Sequence, residues 1–521
     1  MTVDIIVDNR LRLPKDALPK KALTALRKAF THSNPEFYKK RAMKKPTWNV
    51  DREIKTWASS QDRAGTWWIT LPRGGTSTVR DVLLEHGLEW EFVDKRSTGR
   101  GEFGYTGDWV TPQLFPPHNL DLWDHQQRIV DAVLKWENCI IRSPTASGKT
   151  SALLAAIVEC NVPALVVMHD KKLIKQWRER IVDELGIPLE QIGMIGGGKY
   201  NLKPITLAMQ QTLWKLSDTK WEEINETFGF FGIDECHGTA ARTFLVAGDK
   251  STAKYRVGVS DDERRHDGKE FLNYDIFGRV AVDITDEELV DKGHILDVAV
   301  RLVPTEYEDA AYMDEEGAHE FNDLLDGMIA DKDRNDVIRS VVEMCMRSTE
   351  PTLVFSHRRE HCSILDMIFT GDGHPSGLLI GGPEYSETFD ATKDGLASGD
   401  KLIGVGTYRA TGTGQDMPTV TCGVATTPIH GNKQFLRQVK GRLRRKPDGK
   451  TKATLYVIWD RKIYGREAVM HLKRKVADCK VLHDGKWVPV KAYLEEHYGE
   501  QIRRERTTKK TPFATAEDLR G

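Results

Sequence analysis

The stretch SPTASGKT, Ser143 to Thr150, follows a short apolar run, Cys139-Ile140-Ile141, and precedes the helix-forming run SALLAAIVEC. A strand, a tight loop and a helix in that order make a cradle for phosphate. The backbone N–H groups of Thr145, Ala146, Ser147 and Gly148 and the helix N-terminus face anionic oxygens. Lys149 is placed to reach β- and γ-phosphates, and the Thr150 hydroxyl to hold Mg²⁺. The pattern G-x-x-x-x-G-K-[ST] is met at its last three positions, with Ser143 in place of its first glycine. Taken by itself the stretch could be an ordinary glycine-containing turn, so the decision rests on whether partner motifs follow.

They follow at regular intervals. ALVVM (Ala164–Met168) reads as a buried parallel strand, followed by the basic helix HDKKLIKQWRERI; ITLAM (Ile205–Met209) is another strand. FGFFGIDECH, about 85 residues past the cradle, is an apolar run ending in Asp234-Glu235. Carboxylates at the C-terminal end of a parallel strand lie at the sheet edge where ligands bind. There Asp234 is suited to order Mg²⁺ and Glu235 to orient the attacking water. Upstream, Gln126 lies on a helix returning toward the cradle, and its amide can both donate to and accept from an adenine edge. The second half repeats the plan without a cradle: TLVFSHRREH, GLLIGG, KLIGVGT, a Gly-rich loop ATGTGQDMPTV with Gly414 and Asp416, then QFLRQVKGRLRR. If that last run is helical, Arg442 and Arg445 at i, i+3 point the same way, as charge neutralisers for a transferring phosphoryl group would.

Net charge is −1 over 521 residues, but its distribution is uneven. Residues 1–110 hold 20 Lys/Arg against 14 Asp/Glu, residues 430–521 hold 24 against 11, and the middle holds 32 against 52. Basic ends on an acidic middle suit polyanion contacts, with solvated surface charge as the plain alternative. Within 1–55 there are 14 basic residues against 6 acidic, and Tyr38, Trp48, Trp57, Trp67 and Trp68 lie among or just after them, a pattern for backbone contact plus base stacking; at least one of Trp67 and Trp68 is expected in the core of a small α+β fold. The seven scattered cysteines include no C-x-x-C, which reads as a reducing, cytosolic setting. MTVDIIVDNR is not a signal peptide, and no apolar run approaches the ~18 residues of a membrane span.

The ordered set SPTASGKT, VVMHDKKLIKQWRERI, ITLAMQQTL, IDECH, VGVSDDERRHDG, TLVFSHRREH, VGTYRATGTGQDMP and QVKGRLRR resembles the superfamily 2 helicases over roughly residues 120–460, and within them the XPB-like and phage-type DNA helicases. LRLP, NPEFYKKR and LPRGG resemble the small DNA- or damage-recognition domain that precedes the motor in that group. The resemblance implies an α/β fold: two tandem RecA-like domains with parallel sheets, ATP bound in the cleft between them, after a small α+β domain. The expected division is 1–110 recognition domain, 111–120 linker, 121–303 first RecA-like domain, 304–336 acidic connector, 337–465 second RecA-like domain, and 466–521 basic, helix-prone extension.

The resemblance also implies roles. Gln126 matches the adenine-reading glutamine; Lys149 and Thr150 match phosphate and Mg²⁺ binding; Asp234 and Glu235 match Mg²⁺ binding and water activation. Gly414 and Asp416 match the loop coupling the nucleotide to nucleic acid, and Gln438, Arg442 and Arg445 the arginine-finger motif. Lys171, Arg358 and Thr407 fall in segments that touch strand phosphates. The implied cofactors are ATP and Mg²⁺. The implied partner is DNA, single-stranded or branched duplex, with RNA as the alternative. A 3′–5′ helicase in repair, recombination or replication is expected, monomeric, with an accessory protein or a nuclease partner left open. Its expected location is cytoplasmic and nucleoid-associated, in a bacterial or phage-infected cell. Loss of residues 1–110 is expected to weaken structured-DNA binding and leave basal ATPase.

Three departures from the family pattern stand out. Ser143 replaces a glycine and requires negative φ. Asp170 stands where the family has Thr. Ser260-Asp261-Asp262 stands where the family has Ser/Thr-Ala-Thr; those carboxylates need basic partners, with Arg264, Arg265 and the finger helix as candidates, and predict intact ATPase with altered coupling.

Overall fold

A computed structural model describes residues 2–99, 114–115, 117–236, 247–261, 268–309, 321–347, 351–412, 417, 419–428, 433–446, 450–463 and 478–497. The chain divides into two compact units, Met1–Leu289 and Val290–Gly521. Each holds an eight-stranded, mostly parallel sheet, the tandem RecA-like arrangement.

In the first unit the large sheet runs in the order Lys199–Asn201, Ile192–Gly196, Ile205–Met209, Ala164–Met168, Phe230–Asp234, Tyr255–Ser260, Asn138–Arg142, Val280–Asp283. Ala164–Met168, Ile205–Met209 and Phe230–Asp234 are buried at every position. Helices cover both faces of such a sheet, so its central strands read as unbroken apolar runs. The sheet order is what assembles the site. The strand entering the cradle, Asn138–Arg142, pairs in parallel with Tyr255–Ser260, which pairs in turn with Phe230–Asp234.

Ahead of this sheet, Thr2–Val7, Arg10–Pro14, Ala58–Gln61, Trp67–Pro72 and Glu89–Asp94 form a five-stranded sheet backed by helices Lys20–Ala29 and Thr76–Glu85. Its core is Val3, Ile5, Leu11, Leu13, Leu26, Ile69, Leu71, Val79 and Leu83. Neither Trp67 nor Trp68 joins it, contrary to expectation. Trp67 is 46% exposed and lies under the Lys15 ammonium at 4.6 Å, while Trp68 Nε1–H donates to Asp62 at 2.9 Å. Both tryptophans precede the point where the strand enters the core at Ile69. Trp48 is 88% exposed.

This small sheet is seated on the large one through buried polar contacts. The Arg73 guanidinium donates to the carbonyls of Ala253 (2.7 Å) and Lys254 (2.6 Å), and Arg256 donates to those of Asn9 (2.9 Å) and Ser251 (2.5 Å). Gly74 lies so close to Tyr274 that an added Cβ would fall 2.1 Å from its carbonyl oxygen.

In the second unit the order is Ser376–Leu379, Ile403–Thr407, Thr352–Ser356, Cys422–Ala425, Ala453–Asp460, Val298–Thr305, Cys479–His483, Lys486–Pro489. Two features differ from expectation. Val298–Thr305 pairs with Ala453–Asp460 over its whole length, so the division falls ahead of residue 303. In the segment expected to be helix-prone, Cys479–His483 and Lys486–Pro489 form an antiparallel hairpin. Asp484 (φ +47°) and Gly485 (φ +72°) turn it, the left-handed pair that two-residue hairpins require. A helix over 490–497 then packs Val490, Tyr493 and Leu494 into the core of this unit. Among the described residues, no helix is long and apolar enough to cross a membrane.

Candidate nucleotide site and nucleic-acid face

At the C-terminal edge of the first large sheet, Arg142 lies in register with Ser260, and Asp234 with Val259. The Ser143 N–H donates to the Ser260 carbonyl at 2.8 Å, and the Cys236 N–H to that of Val259 at 2.9 Å. The cradle, Asp261 and the Asp234-Glu235 pair therefore leave three neighbouring strand tips together. This is the edge where open parallel sheets bind ligands.

The loop is held from within. Ala146 and Gly148 take left-handed backbone, φ +71° and +74°, which curls the chain as an anion-binding turn requires. Ser143 has no positive φ, so the replacement of glycine is sterically free. Its hydroxyl hydrogen-bonds that of Ser147 at 2.5 Å, both side chains being fully buried. Gln126, 6% exposed, donates from Nε2 to the carbonyls of Ser147 and Gly148, each at 3.3 Å, while its Oε1 accepts the Trp123 N–H at 2.9 Å. A Cβ on Gly148 would lie 2.1 Å from that Nε2, so a side chain here would displace the Gln126 amide, and the left-handed φ itself favours glycine. His125, also buried, bonds the Ser147 carbonyl through Nε2 at 2.8 Å. It is a loop-holding residue that sequence reasoning passed over; its only sequence signal is adjacency to Gln126.

Beyond the loop the charges converge. Lys149, in the first turn of helix Lys149–Cys160, forms an ion pair with Glu235. Burial pulls the Lys149 ammonium down, but the carboxylates of Glu235, Asp234 and Asp261 outweigh it and raise its pKa, so it stays charged. Asp261 therefore lies within electrostatic reach of the Lys149 ammonium. Asp262, Arg264 and Arg265 lie outside the described residues. Asp234 is 5% exposed, and its Oδ2 accepts the Trp177 Nε1–H at 3.0 Å. Burial raises the pKa of this carboxyl, against the opposing pull of Lys149. Trp177 was not anticipated as a site residue; it sits within the basic helix as KQWRER. Three carboxylates facing one ammonium, with the Thr150 hydroxyl in the same first turn, make a hard-oxygen donor set with negative charge to spare, which fits Mg²⁺.

The residues expected at nucleic acid are arranged differently. Asp170 N-caps helix Lys171–Leu185, accepting the Lys172 N–H at 2.8 Å. Lys171 is exposed in that first turn. Thr407 ends strand Ile403–Thr407, and its hydroxyl accepts the Ala410 N–H at 3.3 Å. Arg358 is engaged by the acidic helix Phe321–Ala330: it pairs with Asp326 at 3.0 Å and donates to the Asn322 carbonyl at 3.1 Å.

Helix Lys433–Leu443 carries Gln438 and Arg442, and Arg442 is buried. Arg445 lies beyond the helix end, so the i, i+3 argument for a shared direction does not apply to it. The Leu296 N–H takes the Arg444 carbonyl at 2.7 Å, and Pro447 disfavours helix at the residue before it. Gly414 and Asp416 lie outside the described residues.

Comparison with known proteins agrees with this chemistry. Residues 119–260 match the family model "Type III restriction enzyme, res subunit". The chain is similar to "Probable helicase D10" of Escherichia phage T5, 23% identical over 385 residues, covering 74% of this chain and 77% of that one. It is similar to "DNA 3'-5' helicase XPB" of Mycobacterium tuberculosis, 23% identical over 413 residues, covering 77% of this chain and 70% of the other. It is also similar to "DNA 3'-5' translocase XPB2" of Sulfurisphaera tokodaii, 32% identical over 173 residues; that match covers 33% of this chain and only 38% of the archaeal protein.

Proposed function

We propose that this chain, a homologue of the XPB-like and phage-type superfamily 2 helicases, is an ATP-driven DNA translocase and helicase acting 3′ to 5′ on forked, branched or damaged DNA. The observation that carries the reading is the Lys149–Glu235 ion pair beside buried Asp234, at the mouth of a glycine loop clamped by His125, Gln126 and Ser143. Before nucleotide binds, Lys149 and Glu235 neutralise each other. Phosphate oxygens then compete for the ammonium, and Glu235 is released to accept a hydrogen bond from the attacking water. Mg²⁺, held by Thr150 and Asp234, would supply positive charge to the β- and γ-phosphate oxygens. Trp177 fixes the rotamer of Asp234 for that task. By motif, Arg442 and Arg445 are assigned to the γ-phosphoryl charge, Gln438 and Gly414 with Asp416 to its coupling, and Lys171, Arg358 and Thr407 to strand phosphates.

The same reading gives residues 1–110 to DNA recognition, through Trp48, Trp67 and the basic residues around them. It assigns the protein to repair or recombination in a bacterial or phage-infected cell. The match to a restriction-enzyme subunit supports a second reading, the motor of a nuclease-containing complex. ATPase stimulation by single-stranded, duplex, forked and four-way DNA and by RNA, with Lys149→Ala as the blank, tests both. Forked or four-way DNA should stimulate most and drive strand displacement. Stimulation by RNA alone would overturn the DNA reading, and duplex-stimulated ATPase without strand displacement would favour the restriction-type motor.

A further inference from the structure

The far edge of the second sheet carries a cluster that the motor chemistry does not use. His483 ends strand Cys479–His483, and Glu496 and His497 lie on the helix over 490–497. One ligand atom from each of the three lies within 4.8 Å of the other two. The geometry points to a metal site here, taking Zn²⁺ on His483, Glu496 and His497.

The rings are disposed as zinc ligands are. Two imidazoles on one tetrahedral zinc, each Zn–N bond about 2.0–2.1 Å, have centroids about 5 Å apart. The His483 and His497 centroids are 4.8 Å apart, with the rings at 88°. The His497 Nδ1–H donates to the Tyr493 carbonyl at 3.0 Å, which leaves Nε2 as the lone-pair nitrogen. Such a backbone hydrogen bond fixes the tautomer and ring plane of metal-bound histidines. Beside the other ring, Asp484 Oδ2 lies 3.5 Å from His483 Nε2.

The support beneath the cluster is rigid. Tyr493, 3% exposed, stacks on His497 at 4.1 Å, meets His483 edge-on at 5.4 Å and packs against Trp459 at 5.9 Å. Two imidazoles with one carboxylate suit zinc better than Mg²⁺ or Ca²⁺, which take oxygen ligands. Three protein ligands leave a fourth position for water. A metal here fastens the hairpin Cys479–Pro489 to the helix that the basic run QIRRERTTKK follows in sequence.

The test uses the full chain, stripped with chelator, dialysed and titrated with Zn²⁺ against a chromophoric competitor. One ion per chain is expected. His483→Ala, His497→Ala and Glu496→Gln should each weaken binding by about tenfold or more, and His86→Ala should not. Co²⁺ in place of zinc should give the intense visible absorption of a four-coordinate ion, lost in the same variants. Zn²⁺ should raise the melting temperature of the native chain and not of Glu496→Gln. Glu496 is exposed on its helix, so Glu496→Gln tests the site without endangering the fold. Absence of stoichiometric binding, or binding that all three variants leave intact, overturns the proposal.

Discussion

Asp261 stands between the cradle and the acidic pair because its strand does, and it helps keep Lys149 charged. Its carboxylate therefore bears on the charge of the proposed phosphate-binding lysine from a motif that, by family resemblance, couples the nucleotide to strand movement. Asp261→Ala with Asp262→Thr should leave the ATPase rate within a few-fold and change the base pairs unwound per ATP; an unchanged ratio would show that the carboxylates have no part in coupling. Asp234 presents the opposite case, a site residue held at a cost. Its folded pKa lies above the ordinary 3.8 because it is buried, so ionisation destabilises the fold as pH rises past that value. Asp234→Asn keeps the hydrogen bond from Trp177 and removes the charge. At pH 7.5 it should raise the melting temperature while lowering ATPase at least about a hundredfold. A melting temperature that falls would mean that the attraction of Lys149 outweighs the burial of Asp234.

Single elements show where a motif is shaped by local structure. Asp170 reads as a lost phosphate donor, yet its carboxylate caps helix Lys171–Leu185. Asp170→Ala should destabilise the chain by about 1 kcal/mol, whereas Asp170→Thr should keep most of the cap, since both residue types cap well. In the second unit, His357 and His361 flank the start of helix Arg359–Gly371. Burial, then the Arg358 charge, lowers His357 to about 4; burial, then Arg334, lowers His361 to about 3. The folded state refuses protons that the unfolded chain takes up from pH 6.5 downward. Stability is thus whole above 6.5 and falls with acid, by up to about 1.4 kcal/mol per pH unit for each histidine, down to pH 4 for His357 and pH 3 for His361. Melting temperatures from pH 7 to 4 should fall less steeply for His361→Gln than for the native chain. The parallel strands and cradle were legible because buried strands are continuous apolar runs and phosphate loops need Gly, Lys and Thr at fixed spacing. The hairpin at Asp484-Gly485 carried a turn signal that the surrounding basic charge obscured. The clamp of His125 and Trp177 could not be read, since those contacts join residues 22 and 57 positions apart in sequence.

Across the first unit as a whole, the basic N-terminal sheet is an integral part of the motor body. Asn9, Arg10, His32, Arg73 and Gly74 are spent on Asp249, Phe271, Asp275, Ala253, Lys254 and Tyr274. The contacted segments bracket Asp261, with Ala253 and Lys254 leading into strand Tyr255–Ser260 and helix Phe271–Phe277 following it. Removing residues 1–110 would strip the carbonyl partner Asn9 from the buried Arg256 guanidinium and expose Phe271. Leaving a buried charged donor short of acceptors costs about 1–3 kcal/mol or more, and an opened apolar seam adds to that. The truncated chain should therefore lose basal ATPase and solubility together, contrary to the sequence expectation that basal ATPase survives. Arg73→Ala separates this structural role of the N-terminal sheet from its proposed role in DNA recognition. It should lower the melting temperature by several degrees by leaving the Ala253 and Lys254 carbonyls unpaired, yet keep basal ATPase at 25 °C and blunt its stimulation by forked DNA. A truncated chain with native basal ATPase and melting temperature would mean that the seam is incidental and that residues 1–110 act only as a tethered DNA-binding module.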